Sequence, residues 1–211
     1  MLVDMHLHEC TYSSDSKISL EEIVTTARGR GLDAVCITDH DSMGLREYAA
    51  EYSDRTGFPI FVGIEFFSLQ GDITAWGIED YPGCRVCGHR DLSPDLNGDE
   101  AGGFCVSCHP FRNNNRGLEE NLRAVKGLHG AEVLNGSTAL EANRRAFSYC
   151  RELGLKTIGA SDAHTKGQIG KYATWLPEKV DCLKDFVEQL KTRQVRPAVW
   201  NGSSYDVVDM L

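Results

Sequence analysis

The sequence lacks long apolar segments, low-complexity tracts and an excess of basic residues. No apolar run approaches the roughly 18 residues that a membrane-spanning helix needs. The net charge of −9 argues against binding of long nucleic acid through its phosphate backbone, because that mode requires a broad basic surface. These absences predict a protein without membrane or long nucleic-acid partners, and they leave the oligomeric state open.

An export signal is also missing from the start of the sequence. The segment MLVDMHLHEC has neither the basic start nor the long apolar stretch of a signal peptide, so we expect a cytoplasmic protein. The 211 residues and the hydrophobic content of 41% suit one globular domain, or one domain with a long insertion. In that setting the eight cysteines should be thiols or metal ligands rather than disulfides.

Short apolar runs alternate with amphipathic stretches along most of the chain. The predicted strands cover residues 2–7, 34–38, 60–65, 73–78, 104–108, 131–134 and 155–160. The predicted helices cover residues 19–28, 45–55, 118–126, 138–153 and 180–194. Capping boxes open two of them, at Ser19 with Glu22 and at Thr138 with Glu141. Strand, helix and strand at this spacing indicate parallel pairing, in a barrel or in a doubly wound sheet.

Residues 79–103 interrupt this alternation with a segment rich in Gly, Pro and Asp, which predicts a loop inserted into a single domain of residues 1–211. Cys84 and Cys87 in this loop and Cys105 and Cys108 beyond it have the spacing of a four-thiolate zinc site. A metal bound by Cys84, Cys87 and His89 within the loop is an alternative.

The predicted strand at residues 104–108 opposes the four-thiolate site, because residues three apart on a strand face opposite sides. Cys105 would then share a face with His109, and Cys108 would pack under the helices. Four further cysteines are predicted to be packing residues, namely Cys10, Cys36, Cys150 and Cys182.

Histidines and carboxylates follow several predicted strands at their C-terminal ends. The segments concerned are HLH at residues 6–8, TDHD at 38–41, GIE at 63–65, HP at 109–110 and SDAH at 161–164. Strand ends of a parallel barrel share one rim, so these residues should form one site. His129 precedes a predicted strand, at the opposite end of the barrel, and we expect it to be structural.

On these five motifs, in this order, the sequence resembles the PHP (polymerase and histidinol phosphatase) family. The resemblance covers nearly the whole chain apart from residues 79–103. It implies an α/β fold, a distorted TIM-like barrel of seven strands, with a site for up to three metal ions.

The resemblance also implies which residues hold each ion. The first ion would be bound by His6, His8, Glu65 and Asp162, the second by Glu65 as a bridge with His109, and the third by Asp15, His40 and His164. Family members often complete the second site with a histidine after the sixth strand, where this chain has Asn135. We therefore expect two firmly bound ions and a weaker third.

Mixed imidazole and carboxylate ligands favour Zn, Mn or Fe over Mg or Ca. The resemblance implies a phosphoesterase that uses a metal-activated hydroxide on a small phosphorylated metabolite or nucleotide, with Glu65, Asp162 and His164 at its catalytic centre. Arg112, Arg116 and, more weakly, Asn135 are predicted to contact the substrate.

Three alternatives to this function remain open. One is a dedicated histidinol-phosphate phosphatase, although the chain is short and lacks the sixth-strand histidine. Another is a metal-stabilised PHP module without catalysis. The last is a zinc-ribbon interaction module, in which the two cysteine pairs would be the functional site.

Overall fold

A computed structural model describes residues 1–78 and 102–209 as a mixed α/β fold. The predicted insertion at residues 79–103 lies outside these residues except for Gly102 and Gly103. The strands are β1 Leu2–Leu7, β2 Ala34–Ile37, β3 Ile60–Val62, β4 Ile64–Ser68, β5 Gly71–Trp76, β6 Phe104–Ser107, β7 Gly130–Asn135, β8 Lys156–Ala160, β9 Tyr172–Trp175, β10 Arg196–Trp200 and β11 Tyr205–Val207. They form a six-stranded sheet in the order β11-β10-β9-β1-β2-β3 and a five-stranded sheet in the order β4-β5-β6-β7-β8.

The described residues therefore do not show the predicted seven strands as one closed barrel. The two sheets meet at two seams. At one seam the backbone passes from β3 to β4 through Gly63, where a side chain would collide with the Ala75 carbonyl and the Trp76 ring. At the other, the Gly159 amide of β8 donates to the Thr174 hydroxyl of β9 at 3.0 Å. The predicted strand at residues 60–65 is thus two strands, because the chain changes sheet at Gly63.

Parallel pairing is correct for β1–β2–β3 and for β6–β7–β8, but it is wrong for β5. β5 pairs antiparallel with both β4 and β6, because the tight turn between β4 and β5 is too short for a crossover. β9 pairs antiparallel with β1, and β10 with β9 and β11. The sequence prediction missed these last three strands, which are only three to five residues long.

Four α-helices occur in the described residues, namely α1 Leu20–Gly29, α2 Arg46–Thr56, α3 Leu140–Leu153 and α4 Leu183–Thr192. The capping box of Ser19 and Glu22 is confirmed at the start of α1. The one predicted at Thr138 is wrong: Ala139 is the N-cap of α3, and the Thr138 hydroxyl donates to Asn135 Oδ1 instead. The helix predicted at residues 118–126 is only a 3-10 helix, Glu119–Arg123.

The hydrophobic core lies on both sides of the sheets. Trp76, Phe104 and Phe186 are buried with residues of β1, β2 and β8 between the sheets and α4. A second layer packs α1 and α2 onto β1, β2 and β3, and a third packs α3 onto β6 and β7. None of the helices described is long and apolar enough to cross a membrane. The C-terminal ends of β1, β2, β6 and β8 lie together at one edge of the fold, which these layers do not cover.

Candidate metal centre

The structure brings all eight predicted metal ligands together at this edge. His6 lies on β1, Glu65 on β4, and the others follow β1, β2, β6 and β8. Six of them line an open cleft of about 530 Å³, namely Asp15, His40, Glu65, His109, Asp162 and His164. His6 and His8 lie beneath it and are fully buried. The shared strand-end position was therefore a sound indication that these residues form one site.

Left-handed backbone conformations occur where three strands run into the cleft. Asp41, His109 and Asp162 have φ values of 49°, 34° and 51°, although none of them is glycine. Such conformations are costly for residues with a side chain, and they cluster at functional sites. Here each of these residues turns the chain sharply after β2, β6 or β8. At His109 the turn breaks the strand alternation and directs the ring into the cleft.

Glu65 is at the centre of the ligand cluster. Its Oε2 atom lies 3.3 Å from the Nε2 atoms of both His6 and His8, and 3.0 Å from His40 Nδ1. Its Oε1 atom lies 3.0 Å from His109 Nε2. The two carboxylate oxygens therefore face different sets of ligands, as a bridging carboxylate would.

The ligands divide into a buried group and an exposed group. In the inner group, defined as His6, His8, Glu65 and Asp162, the side chains are 0–2% exposed. In the rim group, defined as Asp15, His40 and His164, they are 56%, 32% and 23% exposed. Asp15 Oδ2 lies 3.2 Å from His40 Nε2 and 3.3 Å from His164 Nε2, so it joins the two rim imidazoles.

The inner histidines are held by a second layer of buried polar groups. His6 donates from Nδ1 to Glu132 Oε1 at 2.7 Å. His8 Nδ1 contacts the Ser13 hydroxyl at 3.2 Å, and this hydroxyl donates to Asp39 at 2.7 Å. Both rings thereby direct Nε2 toward the Glu65 carboxylate. An imidazole whose other nitrogen is hydrogen-bonded in this way has a fixed tautomer and orientation, which favours metal binding.

Glu132 also connects other parts of the site. Its Oε2 atom accepts hydrogen bonds from the His109 backbone amide at 2.9 Å and from the Asn135 side-chain amide at 2.7 Å. The sequence prediction missed Glu132, and it also missed Asp72, which lies 3.7 Å from His109 Nε2. The signal in the sequence was a carboxylate inside the apolar strand at residues 130–135, where an unpaired charge would be costly.

The ionisation of the inner carboxylates follows from these contacts. Burial raises the pKa of Glu65, but the charge of His6 and hydrogen bonds from His109 and His40 outweigh it and hold the pKa well below its usual value. Burial also raises the pKa of Asp162, but the charge of His6 outweighs burial and holds this pKa well below its usual value. Both carboxylates are therefore charged at neutral pH and suited to hold a cation.

The imidazole pKa values differ across the site. Burial lowers the pKa of His40, but its hydrogen bond to Glu65 and the charges of Glu65 and Asp15 raise it to about 9. Burial and the charge of His8 lower the pKa of His164. The two rim imidazoles therefore hold protons with unequal strength.

The predicted substrate residues lie in different environments. Arg112 and Arg116 both line the cleft. Arg112 pairs with Asp162 and donates to Asn135 Oδ1 at 2.8 Å, whereas Arg116 pairs with Asp72 at 2.8 Å and stacks on the Phe67 ring. Asn135 is fully buried and makes its hydrogen bonds within the protein, so it supports Arg112 rather than facing the cleft.

The cysteine predictions need correction. Cys105 packs in the layer under α3, and Cys108 faces Glu65, the reverse of what was expected. The reason is that strand alternation continues from Val106 to Cys108, while His109 reaches the cleft only through its positive φ. Opposite orientations also argue against one ion shared by Cys105 and Cys108. Cys84, Cys87 and His89 lie outside the described residues.

Of the four predicted packing cysteines, Cys36 and Cys150 are buried, but Cys10 and Cys182 are exposed. Cys182 is the N-cap of α4, which accounts for its position at the surface. His129 has the structural environment that was expected. Its ring stacks on Phe104 and its Nδ1 atom accepts from the Cys105 amide at 3.1 Å.

Comparison with known proteins identifies the type of fold. A family model described as PHP-associated matches residues 141–195. A two-domain protein from Bacteroides vulgatus, described as containing a predicted PHP-like metal-dependent phosphoesterase, matches with a TM-score of 0.70 and 21% identity over 93% of this chain. The chain spans 64% of that protein's length. At such identities the likeness establishes the fold, which is that of PHP-like proteins.

Two further proteins match this chain, one in structure and one in sequence. A sulfate-bound amidohydrolase from Chromobacterium violaceum has a TM-score of 0.65 and 19% identity, covering 90% of this chain and 97% of that one. An uncharacterized protein from Methanocaldococcus jannaschii is 27% identical over 149 residues, covering 64% of this chain and 82% of that one. The PHP-associated match and the PHP-like fold agree with the resemblance to the PHP family that the ordered motifs carry.

The prediction that long nucleic acid is excluded is wrong. Endonuclease Q, in complex with a 27-mer duplex substrate, has the same fold with a TM-score of 0.63 and 12% identity, covering 92% of this chain and 58% of that one. Nucleic-acid substrates therefore occur among proteins of this type. Net charge failed as a criterion because it averages over the whole chain, whereas bound cations can reverse the field inside a cleft.

Proposed function

We propose that the chain is a metal-dependent phosphoesterase, with the cluster around Glu65 as its active site. The observation that carries this proposal is the convergence of metal-ligand atoms on both oxygens of Glu65. The Nε2 atoms of His6 and His8 lie only 2.9 Å apart and both approach Glu65 Oε2. Because their Nδ1 atoms are occupied by hydrogen bonds, the facing lone pairs and carboxylate charges call for a cation between them.

The donor set fits divalent ions that accept both nitrogen and oxygen, so Zn, Mn and Fe are the proposed metals. The inner group would hold one ion, and Glu65 with His109 would contribute to a second. The rim group would hold a third, more weakly, because its side chains are exposed and held by fewer contacts. When bound, such ions neutralise phosphate charge and lower the pKa of a coordinated water.

The two arginines are proposed to position the phosphate group. Arg112 and Arg116 approach the cleft from the same loop, and a guanidinium group can donate two parallel hydrogen bonds to a phosphate. Asp162 and Asp72 hold them in place through ion pairs. The cleft is open and has polar side chains on both walls. These features fit an active site that admits a phosphorylated substrate better than they fit a purely structural metal site. The sulfate in the Chromobacterium protein agrees with anion binding in this fold.

The decisive experiment is a substrate panel. Metal-stripped protein is reloaded with Mn, Zn or Fe and assayed on phosphomonoesters, including histidinol phosphate, on phosphodiesters, and on single-stranded and duplex oligonucleotides with and without an abasic site. We expect hydrolysis of at least one ester class, dependent on added metal.

Glu65→Gln, made in parallel, controls for a contaminating phosphatase, because the same trace activity would survive in that variant. A folded, metal-loaded wild type that hydrolyses none of these esters would refute the proposed function. That result would favour the non-catalytic alternative.

A further inference from the structure

Cys108 directs its thiol into the ligand cluster. Its Sγ atom lies 3.3 Å from Glu65 Oε1, the carboxylate oxygen that faces away from the inner histidines. The three ligand atoms offered by Glu65, Cys108 and His109 all lie within 4.8 Å of one another, and all three side chains are buried. Cys108 is thus part of a compact oxygen, sulfur and nitrogen donor set, distinct from the packing cysteines elsewhere in the described chain.

The backbone explains why both Cys108 and its neighbour reach this point. Alternation along β6 directs Phe104, Val106 and then Cys108 to the inner side of the sheet. The positive φ of His109 then turns the next side chain to the same side. Two consecutive residues therefore present ligand atoms to one carboxylate oxygen, which regular strand geometry would not allow.

The other polar side chains near this position, on β7 and β5, are engaged in other contacts. Asn135 uses its amide nitrogen for Glu132 and Asp162, and its oxygen accepts from Arg112. Glu132 is likewise committed to His6, His109 and Asn135. Asp72 is paired with Arg116 and lies farther from His109 than Glu65 does.

We propose that Cys108 is a metal ligand, completing a site with Glu65 Oε1 and His109 Nε2 for the second ion of the cluster. This inference rests on the proposed metal centre. The separations of 3.0 Å and 3.3 Å from Glu65 Oε1 are close to those between neighbouring ligands of a tetrahedral ion with bonds of about 2.0–2.3 Å.

A thiolate at this position would change the metal selectivity of the site. Soft sulfur ligands favour Zn or Fe over Mn, whereas the histidine and carboxylate ligands of the other two groups do not discriminate in this way. The ligand sets thus predict that the second site prefers Zn or Fe over Mn more strongly than the other two do.

Cobalt substitution tests the assignment with a readout that does not depend on catalysis. The full chain is stripped with a chelator and loaded with Co²⁺, and its near-ultraviolet absorption is recorded, where thiolate-to-cobalt charge transfer occurs. We expect a band in the wild type that is lost in Cys108→Ala and in Cys108→Ser. The matched control, Cys105→Ala, removes the neighbouring buried thiol on the opposite face of β6 and should keep the band.

The double variant Cys84→Ser/Cys87→Ser removes the thiols of the inserted loop and should also keep the band. Zinc X-ray absorption of this double variant gives a second reading that does not require a Cys108 variant to fold. We expect one sulfur at about 2.3 Å from a zinc ion. Oxygen and nitrogen scatterers alone would overturn the assignment.

The outcomes separate this inference from the proposed function. Bound cobalt with metal-dependent hydrolysis but no charge-transfer band would refute the thiolate ligand and leave the phosphoesterase proposal intact. A band that survives in folded Cys108→Ala would also refute it. Failure of the wild type to bind any cobalt would overturn both, because the metal centre itself would then be wrong.

Discussion

The inner group and the rim group have similar chemistry but very different surroundings. His6, His8, Glu65 and Asp162 are almost completely buried, and Glu132, Ser13 and Asp39 fix the two histidines from behind. The rim residues are partly exposed, and their closest polar partners are mostly ligands of the same cluster. In the proposed metal centre the inner group is thus preorganised to retain an ion, whereas the rim group is accessible to solvent and substrate.

The largest effect is expected from the carboxylate that joins the two regions. Glu65→Gln removes the charge and one of the two equivalent oxygens that face His6, His8, His40 and His109. Losing one transition-state electrostatic contact typically lowers the rate by a factor of about 100–1,000, and we expect a loss in this range or larger. The measurement is kcat/KM with saturating metal on the best ester of the panel.

His129→Ala is the control for Glu65→Gln, because it removes a partly buried imidazole that lies away from the cleft. It should lower thermal stability and leave metal content unchanged. Near-full activity in folded Glu65→Gln would contradict the central role of this carboxylate. Equal losses in both variants would indicate general destabilisation.

The second layer is expected to have the next largest effect. Glu132→Gln weakens the charge-assisted contact that orients His6, and such changes typically lower metal affinity or activity by about 10–100-fold. Competition with a chromophoric chelator measures the affinity of the most tightly bound ion. Glu141→Gln, at an exposed position in the first turn of α3, should leave that affinity unchanged. If the two variants bind metal equally well, the inner group is not preorganised by Glu132.

The pH dependence of metal binding tests the rim group. A metal must displace the proton that His40 retains below its pKa, which Glu65 and Asp15 raise, so the affinity for the rim ion should fall about tenfold for each pH unit below that pKa. Above it the affinity should level off. His164, whose pKa is lowered, has no such proton to lose near neutral pH. In His40→Gln the rim ion should bind more weakly and with little pH dependence, and a slope equal to wild type would reject this explanation.

The smallest effect is expected from the arginines. Arg112→Ala should raise KM several-fold to about tenfold, because charged hydrogen bonds contribute about 1.5–3 kcal/mol and water replaces part of this at a partly exposed site. Metal content, measured by mass spectrometry of the dialysed protein, should change little. Arg116→Ala serves as the comparison, since Arg116 pairs with Asp72 rather than with a predicted metal ligand. Unchanged kinetics in both variants would exclude them from substrate binding.

The sequence predicted the parts of this molecule that local patterns determine. Residues 6–8, 109 and 161–164 could be assigned to one site because ligand residue types directly follow apolar strands. The capping box at Ser19 and the apolar run at 2–7 likewise depend only on nearby residues. The substitution of Asn135 for a histidine was visible as well, although its role in holding Arg112 was not.

Non-local geometry accounts for most of what was missed. The direction of β5 depends on a tight turn after β4, and the sheet change at Gly63 depends on contacts with Ala75 and Trp76. The orientation of His109 depends on its own positive φ, which no residue pattern signals. Glu132 acts on His6 across 126 positions of sequence.

The most direct test of the account is a metal titration in which bound ions and hydrolysis are measured in the same samples. Chelator-stripped protein is titrated with Zn or Mn, bound metal is counted per chain, and release of phosphate from the best ester is followed. We expect no activity in the stripped protein and a rise in activity as the first two ions bind, with a third ion only at high metal concentration. Full activity without metal, or no activity in folded protein that has bound two ions, would contradict it.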